Sequence, residues 1–322
     1  MDRRHLLAAG LAGTFLAPAA ASARRPAGPV KPDASFNLWP GEAPGLGNPA
    51  LDDRITERSK NPARPDRSMD RLRTPRLDVF RAANPNGAAV LVIPGGGYQR
   101  VVLDKEGYEL GPWLAAQGVT VFVLFYRLPG EGWRDRMNAP LADAQRAMRL
   151  IRAQAGKWRV DRDRVAAMGF SAGGHLCADL ATRFDRKVYD AVDAADALSA
   201  RPVLAAPIYP VVSMDPLIAH RGSRELLLGP GASDAHAAEH SPDRQVTKAT
   251  PPCFLVHAED DDVVPVDNTL RFRAALKAAG VPVETHLFET GGHGFGLRTE
   301  GKPVTVWPQL YLAWAKAHRL LG

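Results

Sequence analysis

The sequence has little cysteine and none of the residue spacings that are typical of metal sites. Cys177 and Cys253 are its only two cysteines, which excludes a small fold held together by several disulfides. A single disulfide between them is possible. Both cysteines lie in apolar segments, however, so we predict buried free thiols. No CxxC or HExxH motif occurs; we therefore expect no metal ion and no cofactor.

Beyond its first residues, the sequence also lacks an apolar run long enough to cross a bilayer and lacks a dense basic cluster. The 322 residues include 41 Lys and Arg against 35 Asp and Glu, a formal net charge of +6. Because this charge is scattered, we interpret it as a generally basic surface; an acidic polysaccharide or a membrane surface stays open as a partner. We expect no nucleic-acid partner and no stable membrane anchor, and the sequence does not indicate the oligomeric state.

The first 23 residues have the composition of an export signal. Arg3 and Arg4 precede an apolar, alanine-rich stretch at residues 6–21. Residues 21–23 read Ala-Ser-Ala, so we predict cleavage after Ala23 and a periplasmic or secreted mature protein. The paired arginines resemble a twin-arginine signal. That route carries folded proteins, which fits a chain that does not depend on disulfides.

The remaining chain divides into an arm and a region of alternating strands and helices. Residues 24–76 are rich in proline and arginine, so we predict an arm that packs on the catalytic domain, with one strand near 55–58. In residues 77–322, continuous apolar runs alternate with helical patterns, which predicts an α/β fold with a mostly parallel sheet and helices on both faces. The predicted strands are 77–80, 88–93, 119–126, 165–170, 203–212, 253–258 and 283–288. The predicted helices are 109–117, 139–154, 173–182, 267–279 and 306–320.

Each chemically suggestive residue directly follows a predicted strand, which is where active sites of parallel sheets lie. Residues 169–173 read G-x-S-x-G, with Ser171 between a buried strand and a helix. This context is typical of a nucleophile elbow, in which glycines leave room for a strained serine backbone. We predict Ser171 as a nucleophile, and a glycine-rich turn without chemistry is the alternative.

A serine nucleophile needs a base, and the base needs an acid to orient it. His293 lies among glycines after the last predicted strand and is the candidate base; a surface-loop histidine is the alternative. The acid is expected after the preceding strand, where residues 259–262 are four adjacent carboxylates. We favour Asp261, with the others solvated or capping the next helix.

Backbone N–H groups must stabilise the oxyanion that forms during acyl transfer. Ala172 follows the nucleophile and is one predicted donor. Gly96 and Gly97 follow an early buried strand and are predicted to supply the others. A phosphate-binding loop is the alternative for this glycine triplet, although no Lys-Thr or Lys-Ser pair follows it.

The polar stretch 213–250 lies between two predicted strands, and we interpret it as a lid or insertion that shapes substrate access. Three of its histidines lack the spacing of a metal site: His220, His236 and His240. Three other histidines are interpreted as packing or supporting residues: His175, His257 and His286. Tyr98 and Trp133 either face the substrate or pack in the interior, and both interpretations stay open.

Together these motifs resemble the α/β-hydrolase superfamily and, within it, bacterial acetylxylan-esterase-like carbohydrate esterases. The matching pieces are LWPGEAPG at 38–45, PGGGY at 94–98, FVLFYR at 122–127, GFSAGGH at 169–175, DDVVP at 261–265 and GHGF at 292–295. By position, the resemblance makes Ser171 the nucleophile, Asp261 the acid and His293 the base. Pro94 stands where lipase-like relatives carry a histidine, which fits the carbohydrate esterases better.

The resemblance implies hydrolysis of short-chain carboxylic esters through an acyl-enzyme, without a cofactor. The expected substrates are small esters or an acetylated polysaccharide, especially acetyl groups on plant-wall sugars such as xylan. A peptidase of the prolyl-oligopeptidase type is the alternative, although such enzymes usually carry a large gating domain. A non-catalytic binding module on the same scaffold would require a lost triad residue, and none is missing.

Overall fold

A computed structural model describes residues 30–48 and 50–321 and shows one large central sheet. The strands are β1 (Ala34–Asn37), β2 (Arg54–Glu57), β3 (Arg67–Asp70), β4 (Arg76–Phe80), β5 (Ala89–Ile93), β6 (Val101–Val102), β7 (Thr120–Phe125), β8 (Val165–Phe170), β9 (Ala205–Ile208), β10 (Cys253–Ala258) and β11 (Val283–Phe288). Eight of them form the central sheet in the order β1-β4-β7-β5-β8-β9-β10-β11. Strand β4 pairs antiparallel with both β1 and β7, and the remaining pairs are parallel. The predicted mostly parallel sheet is confirmed.

Helices pack around this sheet. The α-helices are α1 (Leu110–Ala115), α2 (Ala139–Ala153), α3 (Ala155–Trp158), α4 (Ala172–Arg183), α5 (Arg221–Leu228), α6 (Asp234–Glu239), α7 (Asp267–Ala278) and α8 (Trp307–Ala317). A π-helix covers Asp104–Tyr108, and 3-10 turns cover Pro129–Glu131, Ala194–Ala197, Pro242–Arg244 and Pro303–Val306. In the part of the chain that the structure describes, every helix is too short or too polar to cross a membrane.

Continuous apolar runs form the strands at the centre of the sheet. Every residue of β5, β7, β8, β9 and β10 is buried, as expected for parallel strands covered on both faces. The observed bounds of β8, β10 and β11 are the predicted ones. Because these three strands run parallel, their carboxyl ends meet at one edge of the sheet, and the predicted catalytic residues follow them there.

Residues 30–76 are more closely integrated into the fold than the predicted arm suggests. Strand β1 extends the central sheet by pairing with β4, and β2, β3 and β6 form a separate three-stranded sheet. Only β2 lies near a predicted strand of this region. Strands β1 and β3 escaped prediction because each has only four residues and carries no continuous apolar run. The predicted boundary at residue 76 also falls on the first residue of β4.

Two further predictions need correction in detail. The strand predicted at 203–212 ends at Ile208, because Tyr209 has a φ of 35° that is incompatible with an extended strand. The apolar run continues because the following loop is also buried. The stretch 213–250, for which we predicted neither a helix nor a strand, contains α5, α6 and a 3-10 turn.

The sequence analysis also predicted two free cysteines and a signal peptide, and the structure describes only the cysteines. Cys177 and Cys253 are buried and free, as predicted, and burial raises the pKa of the Cys177 thiol to about 12. The predicted signal peptide, with its cleavage after Ala23, lies outside the described residues.

Candidate active site

Ser171 stands between β8 and α4 with a strained backbone. Its φ of 54° and ψ of −119° lie outside the conformations that most residues adopt. Positions 169 and 173 must both be glycine for this turn to form. A Cβ on Gly169 would lie 2.1 Å from the Gly173 carbonyl oxygen, and a Cβ on Gly173 would lie 2.2 Å from the Ile93 carbonyl oxygen. This sharp turn is the nucleophile elbow that the G-x-S-x-G motif predicts.

The structure brings Ser171, His293 and Asp261 together in one hydrogen-bonded chain. Ser171 Oγ lies 2.8 Å from His293 Nε2, and His293 Nδ1 lies 2.7 Å from Asp261 Oδ2. An ionised carboxylate only accepts hydrogen bonds, so we assign the imidazole hydrogen to Nδ1. That leaves Nε2 free to take a proton from the serine hydroxyl, which is the geometry of general-base activation.

Asp261 is distinguished from its acidic neighbours by the donors around it. Its Oδ1 accepts the backbone N–H groups of Val263 and Val264, at 3.0 and 2.8 Å. Its Oδ2 accepts from His257 Nε2 at 3.1 Å as well as from His293. Burial by itself would raise the pKa of Asp261, but hydrogen bonds from the two histidines outweigh it and hold the pKa well below its ordinary value. The carboxylate therefore stays ionised at neutral pH.

Two neighbours of Asp261 support the site. His257 Nδ1 lies 2.8 Å from Thr269 Oγ1, whose hydroxyl donates to it, while His257 Nε2 donates to Asp261. This agrees with the supporting role inferred from the sequence. Asp260 Oδ1 accepts the N–H groups of Gly291 and Gly292, at 2.8 and 2.7 Å, and so fastens the loop that carries His293. We had not predicted this role for Asp260, because it depends on a loop distant in sequence.

The glycine loop after β5 passes directly beside the nucleophile. A Cβ on Gly95 would lie 2.9 Å from Ser171 Cβ and 2.5 Å from the Phe170 carbonyl oxygen, so no side chain fits there. Throughout residues 30–48 and 50–321, no protein acceptor takes a hydrogen bond from the N–H groups of Gly96, Gly97 or Ala172. These predicted donors remain free to bind a substrate oxygen. The sequence analysis did not assign Gly95 to the site.

A buried carboxylate that the sequence analysis also missed links the glycine loop to the histidine loop. Glu106, on the π-helix, is 2% exposed and accepts the Gly95 N–H at 3.0 Å. The Tyr209 hydroxyl donates to Glu106 Oε1 at 3.0 Å and accepts the Gly296 N–H at 3.0 Å. The Tyr209 ring also contacts that of His293 edge-on, with centroids 5.1 Å apart. Glu106 and Tyr209 thus fix two loops of the site relative to each other.

The open alternatives for Tyr98 and Trp133 are resolved in favour of packing. Tyr98 is buried, and its hydroxyl lies 2.7 Å from His175 Nδ1. His175 Nε2 donates to the His240 carbonyl oxygen at 2.8 Å, so Nδ1 must accept from Tyr98. Trp133 is buried beneath the Arg127 guanidinium, 5.4 Å from its ring centroid. Both aromatic rings are therefore part of the packed interior.

No candidate metal centre occurs in the described part of the chain, where His, Cys, Asp and Glu side chains nowhere gather in a group of three or more that could hold an ion. Two of the histidines in 213–250 have partners within the protein. His220 Nδ1 accepts from Ser223, and His240 Nδ1 accepts from Arg183 at 3.2 Å.

Known proteins resemble this chain in sequence and in fold. Residues 77–276 match the model of the BD-FAE family. The chain is 35% identical over 224 residues to the acetylxylan esterase of Xylanibacter ruminicola, covering 68% of this chain and 43% of that protein. It is 37% identical over 205 residues to the endo-1,4-beta-xylanase B of Butyrivibrio fibrisolvens, covering 64% and 32%. The chain therefore spans less than half the length of these two relatives.

One solved structure matches this chain over almost the whole length of the solved protein. It is the acetyl ester-xyloside bifunctional hydrolase from Caldicellulosiruptor lactoaceticus, with a TM-score of 0.76 and 34% sequence identity. The match covers 91% of this chain and 99% of that one.

Proposed function

The chain belongs to the BD-FAE family and has the α/β-hydrolase fold, and from this premise we propose that it is a serine hydrolase of short-chain carboxylic esters. The observation that carries the proposal is the continuous hydrogen-bonded chain from Ser171 Oγ through His293 to Asp261. A carboxylate, an imidazole and a hydroxyl in this order activate the hydroxyl for attack on a carbonyl carbon.

The proposed reaction proceeds in two steps. Ser171 Oγ attacks the ester carbonyl while His293 Nε2 takes the hydroxyl proton, and the free N–H groups of the glycine loop and Ala172 stabilise the oxyanion. The tetrahedral intermediate collapses, the C–O bond to the alcohol breaks, and His293 returns its proton to the departing oxygen. Water then attacks the acyl-serine with the same proton transfers, releasing the carboxylic acid. Asp261 holds His293 and stabilises the imidazolium form throughout.

We further propose acetyl groups on plant-wall carbohydrate, such as xylan, as the substrate. Support comes from the names of the relatives: an acetylxylan esterase, a xylanase and an acetyl ester-xyloside hydrolase. A relative named as a peptidase, the uncharacterized peptidase YtmA of Bacillus subtilis, is only 27% identical over 210 residues, so the prolyl-oligopeptidase-type alternative has less support.

We also propose that the protein is exported to the periplasm or beyond. This location suits a substrate that is too large to enter a cell. It rests on the composition of residues 1–23. Replacing Arg3 and Arg4 by lysine is expected to leave the protein in the cytoplasm of its host, as measured by cell fractionation. Unchanged export would argue against the twin-arginine route.

The test compares the purified protein with its Ser171→Ala variant on three substrate classes. These are 4-nitrophenyl esters from acetate to decanoate, acetylated xylan and aminoacyl 4-nitroanilides. We expect fastest turnover of the short esters and release of acetate from xylan, both abolished by Ser171→Ala. Cleavage of the anilides without ester turnover would favour the peptidase. No Ser171-dependent turnover of any ester would refute the proposal.

A further inference from the structure

His220 lies beside the active site, in the segment between β9 and β10 and directly before α5. Its Cε1 lies 3.7 Å from the point at which a Cβ on Gly97 would stand. Burial lowers the pKa of His220, and the charge of nearby His293 lowers it further. The ring therefore lies next to the glycine loop and within electrostatic range of His293, yet the proposed reaction assigns it no role.

The hydrogen bonds of His220 fix which nitrogen carries the proton. Nδ1 accepts the backbone N–H of Ser223 at 3.2 Å and lies 2.8 Å from the Ser223 hydroxyl. A nitrogen that accepts an N–H carries no hydrogen itself, so the neutral ring has its hydrogen on Nε2. The lowered pKa keeps the ring neutral near pH 7. Among the described residues, Nε2 has no hydrogen-bond partner. His220 thus presents an unused donor.

The start of α5 is held firmly, so this donor has a defined position. Ser223 is fully buried. The Arg224 guanidinium donates to the Met214 carbonyl oxygen at 2.9 Å, and that of Arg136 donates to the Leu226 carbonyl oxygen at 2.6 Å. A donor that is already fixed loses little conformational entropy when it binds a ligand.

The position of His220 indicates which half of an ester it contacts. His293 must return a proton to the departing alcohol, so the alcohol half of the ester lies beside His293. His220 lies against the glycine loop at Gly97 and within electrostatic range of His293. We propose that His220 is a specificity residue whose Nε2–H donates to a hydroxyl or ring oxygen of a sugar alcohol, next to the scissile ester. This inference rests on the proposed esterase function. A plain alkyl or aryl alcohol offers no such acceptor, so the hydrogen bond favours carbohydrate esters alone.

Paired substrates test this inference. His220→Phe keeps a ring and removes the donor, whereas His220→Gln keeps an N–H donor of similar reach. Methyl β-D-xylopyranoside carrying one acetyl group offers the sugar oxygens, and 4-nitrophenyl acetate does not. For His220→Phe we expect kcat/KM to fall about 3- to 10-fold on the acetylated xyloside, the worth of one neutral hydrogen bond, and to stay within about 2-fold on 4-nitrophenyl acetate. His220→Gln should recover most of the loss.

His236→Phe is the matched control, because His236 is an exposed histidine in the same segment. It should change neither rate, and thermal unfolding of each variant reports whether the protein still folds. An equal loss on both substrates would overturn the inference, since it would place the effect on the chemistry or the fold. No loss on either substrate would overturn it as well. Failure of the esterase proposal is a separate result, seen as absent ester turnover in the unaltered protein.

Discussion

At Asp261, four donors converge on one carboxylate: two backbone N–H groups and the side chains of His257 and His293. The G-x-S-x-G motif and the order of residues along the chain were enough to predict Ser171 and His293. The choice among residues 259–262 was harder, because four adjacent carboxylates look alike in sequence. What separates them is the set of donors that β10, the turn after it and the loop after β11 direct at one of them, and this is visible only in three dimensions.

Asp261→Asn is expected to lower kcat by about 10³- to 10⁴-fold, because an amide stabilises the wrong imidazole tautomer and cannot balance the imidazolium charge. Steady-state kinetics on 4-nitrophenyl acetate measures this, with Asp262→Asn as the control because Asp262 is exposed. If both variants lost activity equally, or if only Asp262→Asn did, the assignment of the acid would be wrong.

At the scale of elements, the site is built from loops that follow β5, β8, β9, β10 and β11. Strands β5, β8, β9 and β10 were predictable because strands buried on both faces consist mainly of apolar residues. The hydrogen bonds that connect these loops could not be predicted from the sequence. Glu106 is distant in sequence from Tyr209, and nothing local in either segment indicates that they hydrogen-bond. The π-helix that carries Glu106 has no reliable sequence signature, although such turns are frequent at functional sites.

Tyr209→Phe tests whether this link positions the catalytic loops. Without the hydroxyl, the Gly296 N–H loses its acceptor and Glu106 loses a donor. We expect kcat to fall about 10-fold while KM stays within about 2-fold, because the loss affects the alignment of His293 rather than substrate binding. Steady-state kinetics at several ester concentrations separates the two constants.

The matched control is Tyr311→Phe, since the Tyr311 hydroxyl is buried and has no hydrogen-bond partner among the residues that the structure describes. It should leave kcat unchanged. An effect of Tyr209→Phe on KM alone, or equal losses in the two variants, would show that Tyr209 does not position the base.

At the scale of the whole molecule, residues 30–76 pack on the rest of the chain, and their strand β1 forms one edge of the central sheet. Trp39 is the anchor: it is 3% exposed, and its indole N–H donates to Asp143 at 2.8 Å. Its ring also meets Tyr189 edge-on, with centroids 5.2 Å apart. The sequence indicated too little apolar material for a separate core, which is correct, but it could not show that a few large side chains join this region to the main core.

Trp39→Ala is therefore expected to lower the free energy of unfolding by about 3–5 kcal/mol, the usual cost of deleting a large buried aromatic side chain. Urea denaturation measures it. The control is Ile55→Ala on β2, where Ile55 is 54% exposed and the expected change is within about 0.5 kcal/mol. A loss below about 1 kcal/mol for Trp39→Ala would contradict the close packing of this region.

The most direct test of the whole account is to identify the residue that becomes covalently modified. A fluorophosphonate ester reacts with an activated serine, and peptide mass spectrometry then locates the added mass. We predict stoichiometric modification at Ser171, much slower modification in His293→Ala, and no ester turnover once Ser171 is occupied. Modification at another residue, or ester hydrolysis that survives full modification of Ser171, would contradict the account.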